Sequence, residues 1–255
     1  MKFKFLVVLY MVGGGAFTAF AQQQIPTDTL KIVDEEIEEA DTNLQYYFEE
    51  ADYIDSLPIF IERFGKDKTV PDSLQLPFYI ALSRFPELYD NKIVVEGSIM
   101  FNTMQARPAN KSILSRASKR TYKIFINNRK GKYKGINLAK MNFNTRIGFF
   151  GHELAHLLSY KYKNSLELVG MGAKYIFSKK YKRYTERQTD METIQRGLGF
   201  ALYESKKLIL YGNNTGITPE YRRNARRNYM TDTEVLENIR RIGFDNMASH
   251  KPKKY

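Results

Sequence analysis

Two of the chain's three histidines, His152 and His156, lie four residues apart in the segment GFFGHELAHLL, and Glu153 follows the first of them. On a helix, residues four apart share a face, so both imidazoles can reach one metal ion. Glu153 lies one position further round, within reach of a water on that ion without being a ligand. The segment therefore predicts a metal site with a general base. The alternative is an ordinary buried helix with two hydrogen-bonded histidines.

A catalytic zinc site needs a third protein ligand and an open position for water. The segment YTERQTDMETIQRGLG contains Glu186 and, four residues later on the same helix face, Asp190. We expect a helix capped by Thr185, with Glu186 as a metal ligand and Asp190 holding a ligand imidazole by a hydrogen bond. The helix dipole alone would also favour an acid in a first turn. Glu167, at another helix start, is the second candidate for the third ligand.

The pair of motifs HELAH and ERQTD, the second on a later helix, resembles the gluzincin metallopeptidases, the thermolysin-like superfamily of zincins. The resemblance implies that His152, His156 and Glu186 bind Zn2+. It also implies that Glu153 is the general base and that Asp190 orients a ligand histidine, His152. In element order it extends over residues 76–210, although two short motifs carry its specificity.

The chain departs from the patterns of related enzymes at two points. Ser159 and Tyr162 stand where metzincins have a glycine and a third histidine. Many gluzincins carry a later His, Tyr or Arg that stabilises the oxyanion, and the sequence leaves this residue open. His250 lies in a basic tail. The other candidates are Tyr160, Tyr203, Tyr221 and Tyr229.

The resemblance further implies a substrate-binding sheet edge just before the active-site helix, where the segment YKIFINN (residues 122–128) lies. The implied function is a secreted peptidase that cleaves polypeptide or envelope-peptide substrates, with Glu153 activating the zinc-bound water. Two other functions stay open. One is a secreted, non-catalytic basic protein that binds the cell envelope and keeps a structural or vestigial metal site. The other is an enzyme that acts on an acidic envelope polymer.

The elements that must position these residues form an α+β arrangement. Hydrophobic patterns predict a helix over residues 76–88, strands over 91–97, 98–104 and 120–128, and a loop over 106–112. The motif helix is predicted to start at Asn144 or Thr145 and to end near Tyr160. A small mixed sheet with an edge strand before this helix, followed by a helical C-terminal half, is a zincin-like fold. Further helix starts are predicted from the capping patterns at Asn164, Thr185, Thr218 and Thr231.

The N-terminus has two lysines, an apolar run and the triplet Ala19-Phe20-Ala21, which together predict a signal peptide cleaved near Ala21. An uncleaved anchor is the alternative. We therefore expect a secreted or periplasmic protein with no transmembrane segment in the mature chain. The predicted organisation is a signal peptide (1–21), an acidic N-terminal segment (22–70), a zincin-like metallopeptidase domain (71–245) and a basic tail (246–255).

Composition limits the chemistry and the partners. The chain has no cysteine, which excludes disulfides, thiolate metal ligands and a cysteine nucleophile. Residues 22–55 contain eleven acids and one lysine, whereas the whole chain carries a net charge of +12. A basic surface can bind an anionic envelope or an acidic partner, and the expected export argues against nucleic acid.

The acidic N-terminal segment could cover the active-site cleft and restrain activity, or it could pack passively on the domain. The oligomeric state stays open.

Overall fold

A computed structural model gives the structure of residues 46–100, 102–128, 138, 141–213 and 216–242. The expected signal peptide, the first part of the acidic segment and the basic tail with His250 lie outside the described residues. The N-terminal half of the described chain contains three helices and four strands. They are α1 (Glu50–Tyr53), α2 (Leu57–Phe64), β1 (Lys68–Thr69), α3 (Gln75–Ser83), β2 (Lys92–Ser98), β3 (Met104–Pro108) and β4 (Thr121–Asn127).

The C-terminal half is helical, so the expected α+β class with a small mixed sheet is confirmed. A π-helical segment, Ile194–Leu198, separates the third and fourth of its helices. Among the described residues, no helix combines the length and the apolar character needed to cross a membrane. The helices are α4 (Phe143–Lys161), α5 (Ser165–Phe177), α6 (Lys179–Thr193), α7 (Gly199–Tyr211), α8 (Pro219–Asn228) and α9 (Asp232–Arg241).

The four strands form one sheet in the order β1-β2-β4-β3. Strands β1, β2 and β4 run parallel, and β3 pairs antiparallel with β4. Strand β4 shows the predicted alternation, with Tyr122, Ile124 and Ile126 buried. It is nevertheless an interior strand, so the expectation that residues 122–128 form the sheet edge is wrong. The edge beside β4 is β3, which also packs against α4.

Strand β3 does not lie where the sequence pattern predicts it. The pattern predicts a strand over residues 98–104 and a loop over 106–112, but Ser98 ends β2 and the next strand begins at Met104. Strand β3 is short, and only Met104 and Ala106 of its five residues are buried. Such a brief alternation, without β-branched residues, produces a weak strand signal. Pro108 is tolerated at its end because the strand lies at an edge.

Helix α4 is the centre of the fold, and α3, α6, α7 and β3 pack around it. Its N-cap is Asn142, whose side chain accepts a hydrogen bond from the Thr145 backbone N–H at 2.7 Å. The predicted cap at Asn144 or Thr145 is therefore two to three residues late. Asn144 instead pairs with both backbone polar groups of Phe48 at 2.8 Å, which fixes the N-terminal segment to α4.

Three of the four predicted caps further along the chain are confirmed. Asn164 and Thr231 form full capping boxes, and Thr218 caps α8 ahead of Pro219. The cap at Thr185 is wrong, because α6 begins at Lys179 and its N-cap is Ser178, seven residues before Thr185. The lysine-rich first turns of α6 carry no apolar periodicity, so no sequence pattern indicates that earlier start.

The described part of the acidic segment belongs to the main core. Residues 46–64 contribute buried aromatic side chains to the same hydrophobic cluster as α3, α4 and the sheet. Arg146 on α4 also pairs with Glu50 at 3.3 Å. Residues 46–70 therefore pack as part of the same folded unit as the chain after residue 71. These buried aromatics are Tyr46, Phe48, Tyr53, Phe60 and Phe64.

Candidate metal centre

Two helices bring the predicted site residues together. Helix α4 carries His152, Glu153 and His156, all of which are buried. Glu186 and Asp190 lie on α6, which packs against α4, and are exposed by only 1% and 0%. Glu186 lies in the middle of α6 rather than in its first turn, so the dipole at the helix start does not account for its position.

The three predicted ligand residues converge on one point. Glu186 Oε2 lies 3.2 Å from His152 Nε2 and 3.3 Å from His156 Nε2. One ligand atom from each residue lies within 4.8 Å of the other two. Two atoms that each bind zinc at about 2.0–2.1 Å in tetrahedral geometry are separated by about 3.3 Å. The spacing therefore suits one metal ion, and this buried group can hold one.

Hydrogen bonds on the outer side of each imidazole fix its orientation. His152 Nδ1 lies 2.8 Å from Asp190 Oδ1, the partner that the sequence predicted. His156 Nδ1 lies 3.2 Å from Thr189 Oγ1. Because the Thr189 hydroxyl donates to the Thr185 carbonyl, its oxygen is left to accept from His156. Both rings thus carry their proton on Nδ1 in the metal-binding state, and the lone pair of each Nε2 faces Glu186.

Asp190 has more partners than the histidine alone. Its Oδ1 also accepts from Lys206 Nζ at 2.7 Å, and its Oδ2 accepts from the Met230 backbone N–H at 2.8 Å. Burial raises the pKa of Asp190, but the charge of Lys206 and the hydrogen bond with His152 outweigh burial and lower it. Asp190 is therefore a fixed anion that links α4, α6, α7 and the segment before α9.

The site favours the charged forms of Glu186 and His152 as well. Burial raises the pKa of Glu186, but the charge of His156 and hydrogen bonds with both imidazoles hold it well below the usual range. Burial lowers the pKa of His152, but hydrogen bonds with Asp190 and Glu186 outweigh burial and raise it to about 9. A proton on His152 thus occupies the place of the cation in the metal-free protein, and a metal ion would displace it.

Glu153 differs from the other acids of the site. Its Oε2 is buried and has no hydrogen-bond partner among the described residues. Burial raises the pKa of Glu153, although the charges of His152 and His156 and a hydrogen bond from the Ala106 backbone N–H act against this. Ala106 lies on β3, so the carboxylate stands between the histidines and the sheet edge. A small cavity of about 40 Å³, which His152 and Glu153 help to line, opens beside it.

Several tyrosines surround the centre. Tyr175 of α5 donates a hydrogen bond to Glu186 Oε1, the oxygen that does not face the histidines. The Tyr229 ring lies 5.6 Å from the His152 ring and lines the cavity beside Glu153. Tyr221 lines the same cavity and pairs with Thr103, whereas Tyr160 is oriented towards the Ala106 carbonyl at 3.5 Å. Three of the four tyrosines predicted as oxyanion candidates therefore lie at the site.

The remaining candidates lie elsewhere. Tyr203 contacts Lys207 on the surface of α7 and is not part of the centre. Glu167, the second candidate for the third ligand, is exposed and accepts a hydrogen bond from the Asn164 backbone N–H at 2.7 Å. Its position in the capping box explains its presence there. The alternative of Glu167 as a ligand is therefore wrong.

The sequence did not identify Thr189, Tyr175 or Lys206 as site residues. Thr189 follows Glu186 by about one helical turn within the motif ERQTD, so the spacing alone could have predicted that both side chains face the site. Tyr175 and Lys206 belong to neighbouring helices with no motif, and only the packing of those helices brings them to the site.

Comparisons with models of protein families, with curated proteins and with solved structures found no match for this chain.

Proposed function

We propose that the protein is a secreted or periplasmic zinc peptidase of the gluzincin type, which hydrolyses peptide bonds in polypeptide or envelope-peptide substrates. The proposal is carried by one juxtaposition. Three ligand atoms spaced for a tetrahedral ion lie beside Glu153, a buried carboxylate with an oxygen left unpaired by the described residues. A structural zinc site is normally closed by a fourth protein ligand and has no need of a neighbouring carboxylate that does not bind the metal. A buried carboxylate oxygen without a hydrogen-bond partner is costly to the fold, so its presence beside the ligands supports a chemical role.

Zinc, when bound, would supply a Lewis acid that lowers the pKa of a coordinated water to about 7 and polarises a carbonyl oxygen. His152, His156 and Glu186 would hold the ion, and Asp190 and Thr189 would orient the two imidazoles. Glu153 Oε2 takes the proton of the attacking water and passes it to the departing amine. Burial raises the pKa of Glu153, and a carboxylate with a raised pKa returns an accepted proton more readily than an ordinary acid keeps one.

Strand β3, rather than the segment expected from the sequence, is the substrate edge in this proposal. The register pairs Ala106 with Ile124 of β4, yet the Ala106 N–H bonds to Glu153 and its carbonyl faces Tyr160. The polar groups of Ala106 thus point away from β4 and towards the site. An extended peptide added along this side of β3 would pass Glu153. This arrangement supports an extended chain as the substrate.

Tyr229 is the phenol that we assign to the stabilisation of the oxyanion. It lines the cavity next to Glu153 and lies against His152. Burial and the negative charge of Glu186 raise its pKa well above the usual value, so the hydroxyl stays protonated and can donate. Tyr221 and Tyr160 are held by Thr103 and by the Ala106 backbone.

Metal content and hydrolysis measured on the same preparations test the proposal. Wild type should purify with one zinc per chain and cleave an unfolded, fluorescently labelled protein. Glu186→Ala should lose both properties. Glu167→Gln, which keeps its capping box, should lose neither and serves as the control. Zinc without any cleavage would support the alternative of a non-catalytic envelope-binding protein. Cleavage of an acidic envelope polymer, but not of protein, would support the alternative of an enzyme that acts on such a polymer. A chain that binds no zinc overturns the proposal.

A further inference from the structure

Helix α5 has two apolar faces. Leu168 and Met171 are buried, and Tyr175 on the same side reaches Glu186. The opposite side is also apolar but exposed. At 3.6 residues per turn its positions fall within an arc of about 120°, as wide as the core-facing stripe of an ordinary surface helix. The exposed residues are Leu166 (82%), Val169 (52%), Ile176 (75%) and Phe177 (86%), with Gly170 and Ala173 between them.

Positive charge surrounds this exposed stripe. Residues 161–183 contain seven lysines and arginines and a single acid, Glu167. Lys174 lies on α5, and Lys179, Lys180 and Arg183 are exposed on the first turns of α6, directly after Phe177. The apolar face is therefore bordered by cations at the end of the helix where its largest side chain projects.

We propose that α5 binds the surface of an anionic lipid bilayer, with the exposed stripe among the acyl chains and the neighbouring cations at the phosphates. The helix has 13 residues and is about 20 Å long, so it can lie in the interface but cannot span a membrane. An apolar face combined with a cationic border is the pattern of interfacial helices. The charge also selects the lipid, since anionic headgroups attract juxtaposed lysines.

The shape of the surface favours lipid over a folded protein partner. The stripe lies on the outer side of a single helix, and its large side chains project into solvent. Gly170 lies between them, and no described atom lies within 4 Å of where a Cβ on this glycine would be. A protein interface would need a complementary groove for each projecting side chain. Fluid acyl chains fill such gaps without one.

Lipid binding through α5 would also position the metal centre, because α5 lies next to it. Tyr175, on the face opposite to the stripe, donates a hydrogen bond to Glu186 of the metal centre. The centre therefore lies about one helix diameter, roughly 10 Å, from the lipid-facing side of α5. Docking would hold the metal centre beside the membrane. The proposal does not depend on peptidase activity, and it can fail while the metal proposal stands.

The chain has no tryptophan, so the fluorescence of a single introduced tryptophan reports only on the surroundings of that residue. In the full chain, Phe177→Trp should shift its emission to the blue on addition of phosphatidylglycerol vesicles and should be quenched by brominated acyl chains. Phosphatidylcholine vesicles should cause at least tenfold less change. Leu114→Trp, at a residue 79% exposed between β3 and β4, is the matched control and should respond to neither lipid.

A charge-reversal pair tests the cationic border. Lys179→Glu with Lys180→Glu should reduce co-sedimentation with anionic vesicles by at least tenfold. Arg226→Glu with Arg227→Glu, an exposed basic pair on α8, should have little effect. Three results overturn the proposal. They are an emission spectrum of the Phe177→Trp variant that vesicles leave unchanged, equal losses for both charge reversals, and an emission already shifted to the blue without lipid, which would show cover by a second copy or by another part of the chain.

Discussion

Nδ1 of His152 and Oδ1 of Asp190 lie 2.8 Å apart, although 38 residues separate them in the chain. The contact joins the centre of α4 to the last turns of α6, and both side chains are buried. It fixes which nitrogen of His152 faces Glu186 and increases the basicity of that nitrogen. Asp190 also binds Lys206, so the same carboxylate balances the charge of a buried lysine. One carboxylate therefore serves metal affinity and stability together.

Asp190→Asn should separate these two roles. The change removes the negative charge but keeps the shape, and we expect zinc affinity to fall by roughly 10- to 100-fold. Stability should fall by about 3–5 kcal/mol because Lys206 is left as an unpaired buried cation. The added change Lys206→Met should restore much of the stability but none of the zinc affinity. Chelator competition and denaturant unfolding measure the two quantities. Equal zinc affinity in wild type and Asp190→Asn would contradict the assigned role.

Glu153→Gln should keep the metal and lose the reaction. Glu153 is not among the three converging ligands, and glutamine has nearly the same shape. Zinc content and thermal unfolding should therefore match wild type, while peptide hydrolysis falls by about 10²-fold or more because the proton acceptor is lost. Cleavage rates at saturating substrate give the measurement. Undiminished cleavage would rule out Glu153 as the base.

Thr189→Val tests the second imidazole. The change removes the oxygen that accepts from His156 Nδ1 while nearly preserving volume. We expect zinc to bind about tenfold more weakly, since losing an outer partner of a ligand histidine typically costs about 10- to 100-fold. Thr193→Val is the matched control, because Thr193 is buried one turn later and bonds only to the Thr189 carbonyl in the described structure. A similar loss of zinc affinity in both variants would mean that the effect is structural.

Tyr229→Phe tests the proposed oxyanion donor. Loss of the hydroxyl should lower kcat by about 10²- to 10³-fold, the usual effect of removing one such donor, and leave zinc content unchanged. Tyr203→Phe, at the candidate that lies away from the site, should cleave at the wild-type rate. If Tyr221→Phe alone slowed the reaction, the assignment would pass from Tyr229 to Tyr221.

Two glycine substitutions compare a tightly packed position on α4 with an open position on α5. A Cβ at Gly148 would overlap the Ala201 carbonyl oxygen on α7, so Gly148→Ala must push two helices apart. We expect a loss of about 1–3 kcal/mol. Gly172→Ala on α5 meets no described atom within 4 Å and should stabilise the helix by about 0.5–1 kcal/mol. Denaturant unfolding of both variants should give opposite signs.

The sequence predicted the local chemistry of the site well. His152 and His156 share a helix face because the spacing of four fixes their relation, and Glu186 and Asp190 share a second face for the same reason. The convergence of the two faces is confirmed by the distances between their side chains. Zinc as the metal and hydrolysis as the reaction stay predictions.

Features that depend on tertiary packing could not be predicted from local sequence patterns. The edge strand was misplaced because β3 is short and ends in Pro108, whereas β4 has the stronger alternation. The start of α6 was missed because its first turns are lysine-rich and solvent-facing. Tyr175 and Lys206 reach the site only through the packing of α5 and α7, and no local pattern encodes that contact.

Lys206 Nζ lies 2.7 Å from Asp190, although the two residues are 16 positions apart in adjoining helices. On one straight helix they would be about 24 Å apart, beyond the reach of any side chain. They meet because the π-helical segment bends the chain at Gly197, whose φ of 76° a residue with a Cβ adopts only at a cost. Gly197, which has no functional group, thus determines that Lys206 is the cation that neutralises Asp190, the partner of His152. Metal affinity in this fold could therefore be tuned, or lost, through a backbone torsion while every ligand stays in place.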